Sequence, residues 1–334
     1  MRVALVGLGT TGSHVARQLM RAPCTEIAVA DVDVRRLDRV LPALRSVAGD
    51  ISIRRDEPDP ADPADVVMLA GPVGTHTKAA ASMLAAGSHV VSLSDDPDEC
   101  KQLLALDETA RGLGRSVVVG AGFVPGLSCV LARFAADQLD VVEMISVYKA
   151  GTGGPACARQ HHRALQSDGE DWVDGEWTLR RGGSGRDLAW FPEPLGARDC
   201  YRGALPSPLL LQREFPDASR ISARVSATRR DRLTSRLPML RPPHNDGGPG
   251  ALRVEVRGRA HGAVETLVMG AIDHPSVAAA TVAAVVASEA GYGRAPIGAG
   301  GLASWSDPKR LLGELRRRGV RVASFSGVLD TLLA

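Results

Sequence analysis

The stretch Val3-Ala4-Leu5-Val6-Gly7-Leu8-Gly9-Thr10-Thr11-Gly12, running on as Ser13-His14-Val15-Ala16-Arg17-Gln18-Leu19-Met20, decides the fold. Four consecutive apolar residues, a Gly-x-Gly-x-x-Gly turn and then apolar residues three or four apart read as strand, tight turn and helix. Gly7 permits the turn, Gly9 lets the backbone come close to a phosphate, and Gly12 lets the helix lie against the strand. A helix that starts here, with Thr10 and Thr11 in its first turn, offers backbone N–H groups and the positive end of its dipole to an anion. In this context the motif implies the pyrophosphate of a dinucleotide, held by Gly7, Gly9, Thr10, Thr11 and Gly12.

The same alternation continues outward. Short apolar runs at Val3–Val6, Ile27–Ala30, Val66–Ala70, His89–Leu93 and Val117–Val119, with a weaker one at Ile51–Arg54, fit parallel strands buried on both faces. Helical spacing lies between them at Gly12–Met20, Val34–Leu41, Thr75–Ala86 and Pro97–Gly112, with Thr75 as a cap and Gly87 at a C-terminal end. Six strands with crossover helices give an α/β, doubly wound Rossmann domain over residues 1–139. Asp31 ends the second strand, where a carboxylate accepts hydrogen bonds from ribose hydroxyls and repels a 2′-phosphate. This favours NAD, while Arg35 and Arg36 could reach a 2′-phosphate and keep NADP open. Ligands in this fold sit beyond the carboxyl ends of the strands. Gly71, Pro72 and His76 after the fourth strand, and Ser94 after the fifth, are therefore expected beside the cofactor, and Thr75 and His76 open the next helix.

Near Asp140 the pattern changes. Longer strands are expected at Val141–Lys149, Arg220–Thr228, Leu252–Arg259 and Ala263–Ile272, with few helices between them. This describes a second, α+β domain over residues 140–273. Arg241–Gly250 is a loop on its Pro and Gly content. A tail over residues 274–334 carries a helix at Pro275–Ala290, another at Asp307–Arg318 and a short strand at Val320–Phe325, and is expected to return to the first domain.

Composition removes several function classes. Of 334 residues, 44% are apolar and 23% charged, an ordinary globular balance. No apolar run reaches the length of a membrane span, and no signal peptide is visible, so the chain reads as cytoplasmic. A net charge of +2 gives no basis for nucleic-acid binding. The five cysteines are widely spaced, with no C-x-x-C pair, and suggest neither a disulfide framework nor a metal site. All but four of the 40 basic residues are arginine, the residue suited to bidentate carboxylate binding.

The segments GLGTTG (7–12), GPVGTH (71–76), VVSLSDD (90–96) and especially GAGFVPGL (120–127), with Asp31 and LLGELRRRGV (311–320), resemble the saccharopine dehydrogenase family. The resemblance covers residues 1–140 and 270–325 and leaves the middle unmatched. It implies NAD(P)(H) on a Rossmann domain, a mixed α/β substrate domain, and oxidoreduction at a C–N bond of an amino-acid-like or imino-acid substrate. The family often places Asp between the aromatic residue and Pro of the GF-x-PG segment; here the position is Val124. PVGTH (72–76) and AAGSHVV (85–91) also resemble the sugar oxidoreductases, which act on sugar or cyclitol alcohols. That family's Glu-Lys-Pro motif is replaced here by Leu93-Ser94-Asp95-Asp96-Pro97, without the lysine. A third reading is a non-catalytic protein that binds NAD as a structural ligand or sensor.

Reduction of an imine needs a proton donor whose pKa is near the working pH, which points to histidine. His161 and His162 follow a strand of the second domain, beside Lys149 and Tyr148 at that strand's end, and His161, His162 and Lys149 are the catalytic candidates. Asp95 and Asp96 are better explained as helix caps. Arg229, Arg230, Arg232 and Arg236 form the densest basic stretch and are the expected clamp for a small anionic substrate. The long strands and the small-residue helix at Pro275–Ala290 suggest a homodimer.

Overall fold

The computed structural model describes residues 1–239 and 243–325. The first part alternates β1 (Arg2–Val6), α1 (Thr10–Leu19), β2 (Glu26–Ala30), α2 (Val34–Arg45), β3 (Ser52–Arg55), β4 (Val66–Leu69), α3 (His76–Ala85), β5 (His89–Ser92), α4 (Pro97–Leu104), α5 (Asp107–Gly112) and β6 (Ser116–Val118). A strand-rich stretch follows: α6 (Leu127–Ala136), β7 (Val141–Ala150), α7 (Pro155–Gln166), β8 (Gly169–Val173), β9 (Glu176–Arg180), β10 (Asp187–Trp190), β11 (Ala197–Arg202), α8 (Ser207–Gln212), β12 (Arg220–Ser226), α9 (Arg229–Thr234), β13 (Gly250–Ala260) and β14 (Ala263–Asp273). The last described elements are α10 (Pro275–Gly291), β15 (Gly298–Gly300), α11 (Pro308–Arg317) and β16 (Val322–Ser324).

One unit comprises Met1–Gly122 and Ser276–Leu302. Its seven strands are all parallel, in the order β15-β6-β5-β4-β1-β2-β3. Leu5, Ile27, Val29, Val66, Val67 and Val90 are fully buried, which is why these strands appear as unbroken apolar runs. Chain order reverses between β1 and β4, so the turn after β1 and the loop after β4 open together at the switch point where such sheets take ligands. Six strands were expected. The seventh, β15, is Gly-Ala-Gly, too short and too poor in side chains to show an apolar pattern, and it pairs with β6 along the backbone. In α10, Ala278, Ala280, Ala283, Ala284 and Ala287 are fully buried within the chain itself, so this helix supplies no face for a second copy.

The other unit runs Phe123–Pro275 and resumes at Ala303. It is built on a nine-stranded mixed sheet, ordered β10-β11-β12-β7-β13-β14-β16, with β8 on β12 and β9 on β8. β7 pairs parallel with β12 and antiparallel with β13. One sheet face carries Ile145, Val147, Ile221, Val225, Val254 and Val256, fully buried, with α6 lying against β7, β13 and β14. The other face bears polar residues in register, with Arg224, Tyr148 and Arg253 side by side.

These boundaries differ from those read from sequence. The second unit begins at Phe123 and not at residue 140, because α6 belongs to its core. The tail is divided. Its part up to Leu302 joins the parallel sheet, whereas β16 pairs with β14 and α11 packs on α6 in the second unit. The loop expected at Arg241–Gly250 lies partly outside the described residues.

Candidate functional site

The turn after β1 is shaped by its glycines. Gly7 has φ +101°, and a Cβ there would meet the Ala70 carbonyl carbon at 2.6 Å. A Cβ on Gly12 would collide with the Gly7 carbonyl. Around Gly9 a Cβ would meet nothing within 4 Å, so the backbone here faces open space. Gly9 is the N-cap of α1, makes no side-chain cap hydrogen bond, and is followed by a first turn without an acidic residue. A helix start with neither a side-chain cap nor a negative charge is the form suited to a phosphate. Thr10 and Thr11 are its first two residues, both half-buried.

Asp31 lies at the end of β2 with its side chain only 3% exposed. Its carboxylate accepts from the Leu8 N–H at 2.6 Å and the Asp33 N–H at 2.8 Å, tying the glycine turn to β2. Arg36 donates to both of its oxygens at 3.1 and 3.2 Å and also lies 3.5 Å from Asp33. The negative charge that would exclude a 2′-phosphate is therefore matched by a guanidinium. Asp33, rather than Asp31, caps α2 by accepting from the Arg36 N–H.

The loop after β4 is held from beneath by a buried polar network. Glu99, on α4 and 3% exposed, accepts from the Gly74 N–H at 2.8 Å, the His76 N–H at 2.9 Å and the Ser94 hydroxyl at 2.7 Å. It thereby caps α3 from a neighbouring helix. The expected cap, Thr75, makes no cap hydrogen bond; its hydroxyl donates to the Pro72 carbonyl at 2.7 Å. The His76 ring is buried, with Nε2 3.1 Å from the Gly71 carbonyl and Nδ1 2.8 Å from the Ser92 hydroxyl. A carbonyl only accepts, so Nε2 carries hydrogen, and Ser92 can donate to Nδ1. His76 and Ser94 thus support the loop from inside, while Gly71 is half-exposed and Pro72 exposed on its outer side. Asp96 accepts from the Asp98 and Glu99 N–H groups and caps α4, as expected. Nothing in the local sequence marks Glu99, because its partners belong to a different helix and strand end.

In the second unit His161 lies within electrostatic reach of Lys149, His162 and Asp231 of α9. Lys149 is buried on β7, 3.9 Å from the Cys157 thiol on α7. His161, on α7, has its Nδ1 buried without a hydrogen bond. Burial, and next the nearby Lys149 ammonium, push its pKa down to about 4, against weaker opposing effects of Asp231 and the Ser226 backbone. Both effects favour the neutral ring at pH 7. His162 Nε2 donates to the Leu237 carbonyl at 2.8 Å, fastening α7 to the chain after α9. Arg229, Arg230, Arg232 and Arg236 are all exposed. Arg229, Arg230 and Arg232 lie on the six-residue α9 and Arg236 lies beyond it, with Arg232 over the Tyr201 ring at 5.2 Å.

The chain has the fold of a saccharopine dehydrogenase. It matches apo saccharopine dehydrogenase (L-Glu forming) from Saccharomyces cerevisiae with a TM-score of 0.66 and 14% identity, over 97% of this chain and 99% of that one. DAP dehydrogenase from C. glutamicum, in complex with DAP, matches with a TM-score of 0.50 and 15% identity, over 96% of this chain and 99% of that one. Identities this low establish the fold alone. The sequence matches no family model. Among the described residues, no helix is long and apolar enough to cross a membrane.

Proposed function

We propose that the protein is an NAD(P)-dependent oxidoreductase acting at a C–N bond of a small, anionic, amino-acid-like substrate. The observation that carries this reading is the turn after β1. Gly7 and Gly12 admit no side chain, Gly9 faces open space, and α1 starts uncapped beside Asp31. Those residues fit a dinucleotide pyrophosphate and its adenosine ribose. The amino-acid substrate class is supported by the shared fold of two proteins whose names specify saccharopine and DAP.

When bound, the nicotinamide supplies hydride chemistry. The chain's own groups do the rest. The start of α1 offers backbone N–H groups and the positive end of its dipole to the diphosphate. Asp31 orients the ribose, with NAD(H) as first choice and NADP(H) admitted by Arg36. The Gly71–Thr75 loop, kept rigid by Glu99, walls the nicotinamide end. Proton handling falls to Lys149, because His161 stays neutral and His162 is committed to a carbonyl. A homodimer joined through apolar side chains exposed by β9, β10 and β14, such as Leu179, Trp190 and Val264, completes the reading.

Fluorescence titration with NADH, followed by NADH oxidation against paired amines and keto acids, tests it. Binding of NADH with turnover of an amine and keto-acid pair is the expected outcome. Turnover of cyclitols alone would assign the protein to alcohol oxidation, and binding without turnover would make it a sensor. Gly9→Val should leave the fold intact and weaken NADH binding by about 100-fold through steric exclusion of the pyrophosphate. Unchanged affinity would place the cofactor elsewhere.

A further inference from the structure

The second unit contains a cavity of about 660 Å³ where β7 and β12 end. Its space comes from small residues: Ala150, Gly151, Ala197 and Ala227 line it with at most a methyl group each. Gly151 has φ +81°, and a Cβ there would lie 2.6 Å from the Gly250 Cα, so this part of the wall cannot be filled by a larger side chain. Leu188, Leu195 and Pro249 give the cavity an apolar side, and Arg198 and Asp199 of β11 give it a polar one.

The charge around the polar side is unbalanced. Asp199 pairs with Arg186 at 2.9 Å. The Arg186 hydrogen bond holds the Asp199 carboxyl below its usual range, and Arg229, next in sequence to the lining Thr228, adds to this. Arg186 and Arg229 act on the Asp199 carboxylate, Arg198 lines the same cavity, and Asp231 is bonded to the lining Thr228, so three arginines stand against two carboxylates. The volume falls within the range of small-molecule sites.

We propose that this cavity binds a small organic carboxylate with an apolar side chain, its carboxylate on Arg198 and Arg229 and its hydrocarbon against Leu188 and Leu195. As the place of the substrate it rests on the dehydrogenase reading; as a carboxylate site it stands on the cavity and its charge. Of the four arginines expected as a clamp, only Arg229 takes part, and Arg198 is added.

Isothermal titration calorimetry of the full chain with 4-methyl-2-oxopentanoate, and with uncharged 4-methylpentanamide, tests the proposal. The acid should bind with a Kd below about 1 mM and the amide at least about tenfold more weakly. Arg198→Ala and Arg229→Ala should each weaken the acid by about tenfold, the loss expected of a charge-assisted contact. Ala197→Leu, at an exposed position on β11, should abolish binding with an unchanged circular dichroism spectrum. Equal affinity for acid and amide, or acid binding untouched by Ala197→Leu, overturns the site. So does a dimer that Ala197→Leu dissociates in a protein that does not bind the acid, since a second copy then fills the cavity. NADH titration of the same preparation separates the two readings. A protein that binds NADH but not the acid loses this site only, and one that binds the acid but not NADH loses the dehydrogenase reading only.

Discussion

The run from β1 to β6 and the run from α7 to β12 lie in one chain but advertise their structure differently. Strands β4 and β5 read Val-Val-Met-Leu and His-Val-Val-Ser, and every residue in them is buried. Strands β8 to β11 read Gly-Glu-Asp-Trp-Val, Glu-Trp-Thr-Leu-Arg, Asp-Leu-Ala-Trp and Ala-Arg-Asp-Cys-Tyr-Arg, with charges and exposed aromatics among them. A strand covered on both faces shows itself by composition alone. A strand covered on one face shows itself only through alternation, which a few charged residues at a sheet edge suffice to obscure.

Three measurements would break or sharpen this contrast. The largest effect is expected inside the well-marked region, from the residue that its pattern hides. Glu99→Ala leaves the Gly74 and His76 N–H groups without their acceptor and should lower stability by about 3 kcal/mol. Glu99→Gln retains an oxygen for both and should lose less than half as much. Both changes should weaken NADH binding beyond what the stability loss implies, measured under conditions where each variant is fully folded. Urea titrations that find Glu99→Ala harmless would remove the loop support argued above.

The second measurement addresses the poorly marked region. His161 has a folded pKa of about 4 against about 6.5 when unfolded, so between these values the unfolded chain binds the extra proton. The neutral ring's contribution is fully present above pH 6.5 and is lost as pH falls toward 4. At pH 5 the loss amounts to about 2 kcal/mol. His161→Gln should therefore narrow the stability gap between pH 7 and pH 5 by about that much. His89, lowered in the same direction by burial, leaves a residual slope, so the difference between wild type and variant is the quantity to read. Parallel pH profiles for the two would show that His161 is not held neutral by its surroundings.

The smallest effect concerns the cofactor. Arg36→Ala uncovers the Asp31 charge and should shift the NADH to NADPH affinity ratio toward NADH by about fivefold, near 1 kcal/mol. A ratio that stays constant in paired titrations would mean that Arg36 does not face the 2′ position.

What was legible follows the range of the interactions. The glycine turn, Asp31 at the end of β2 and the Asp96 cap depend on neighbours in sequence or on a repeating strand–helix unit, and could be read directly. The Arg36 pair on Asp31 could not be read with the same certainty, because a guanidinium five residues on reaches either a carboxylate or a phosphate. Glu99 was invisible because it serves Gly74 and His76, more than twenty residues away in sequence. His161 was legible as a candidate, but the burial and the Lys149 charge that act on its proton affinity do not show in local sequence. The arginines were read as a cluster because they are close in sequence; on α9 Arg229 and Arg232, three apart, share a face, Arg230 does not, and Arg236 lies beyond the helix.

The return of the chain at β15 has a consequence for how the protein is made. The edge of the parallel sheet at β6 is paired with Gly298–Gly300, and the Ala-rich α10 belongs to the same unit. Synthesis proceeds from the N-terminus, so residues 1–122 leave the ribosome with a bare edge strand while some 150 residues of the other unit are still to come. The parallel-sheet unit is thus begun first and closed late. A shortened gene product that stops after the first alternating strands would present that uncovered edge permanently, as a template for pairing with other chains.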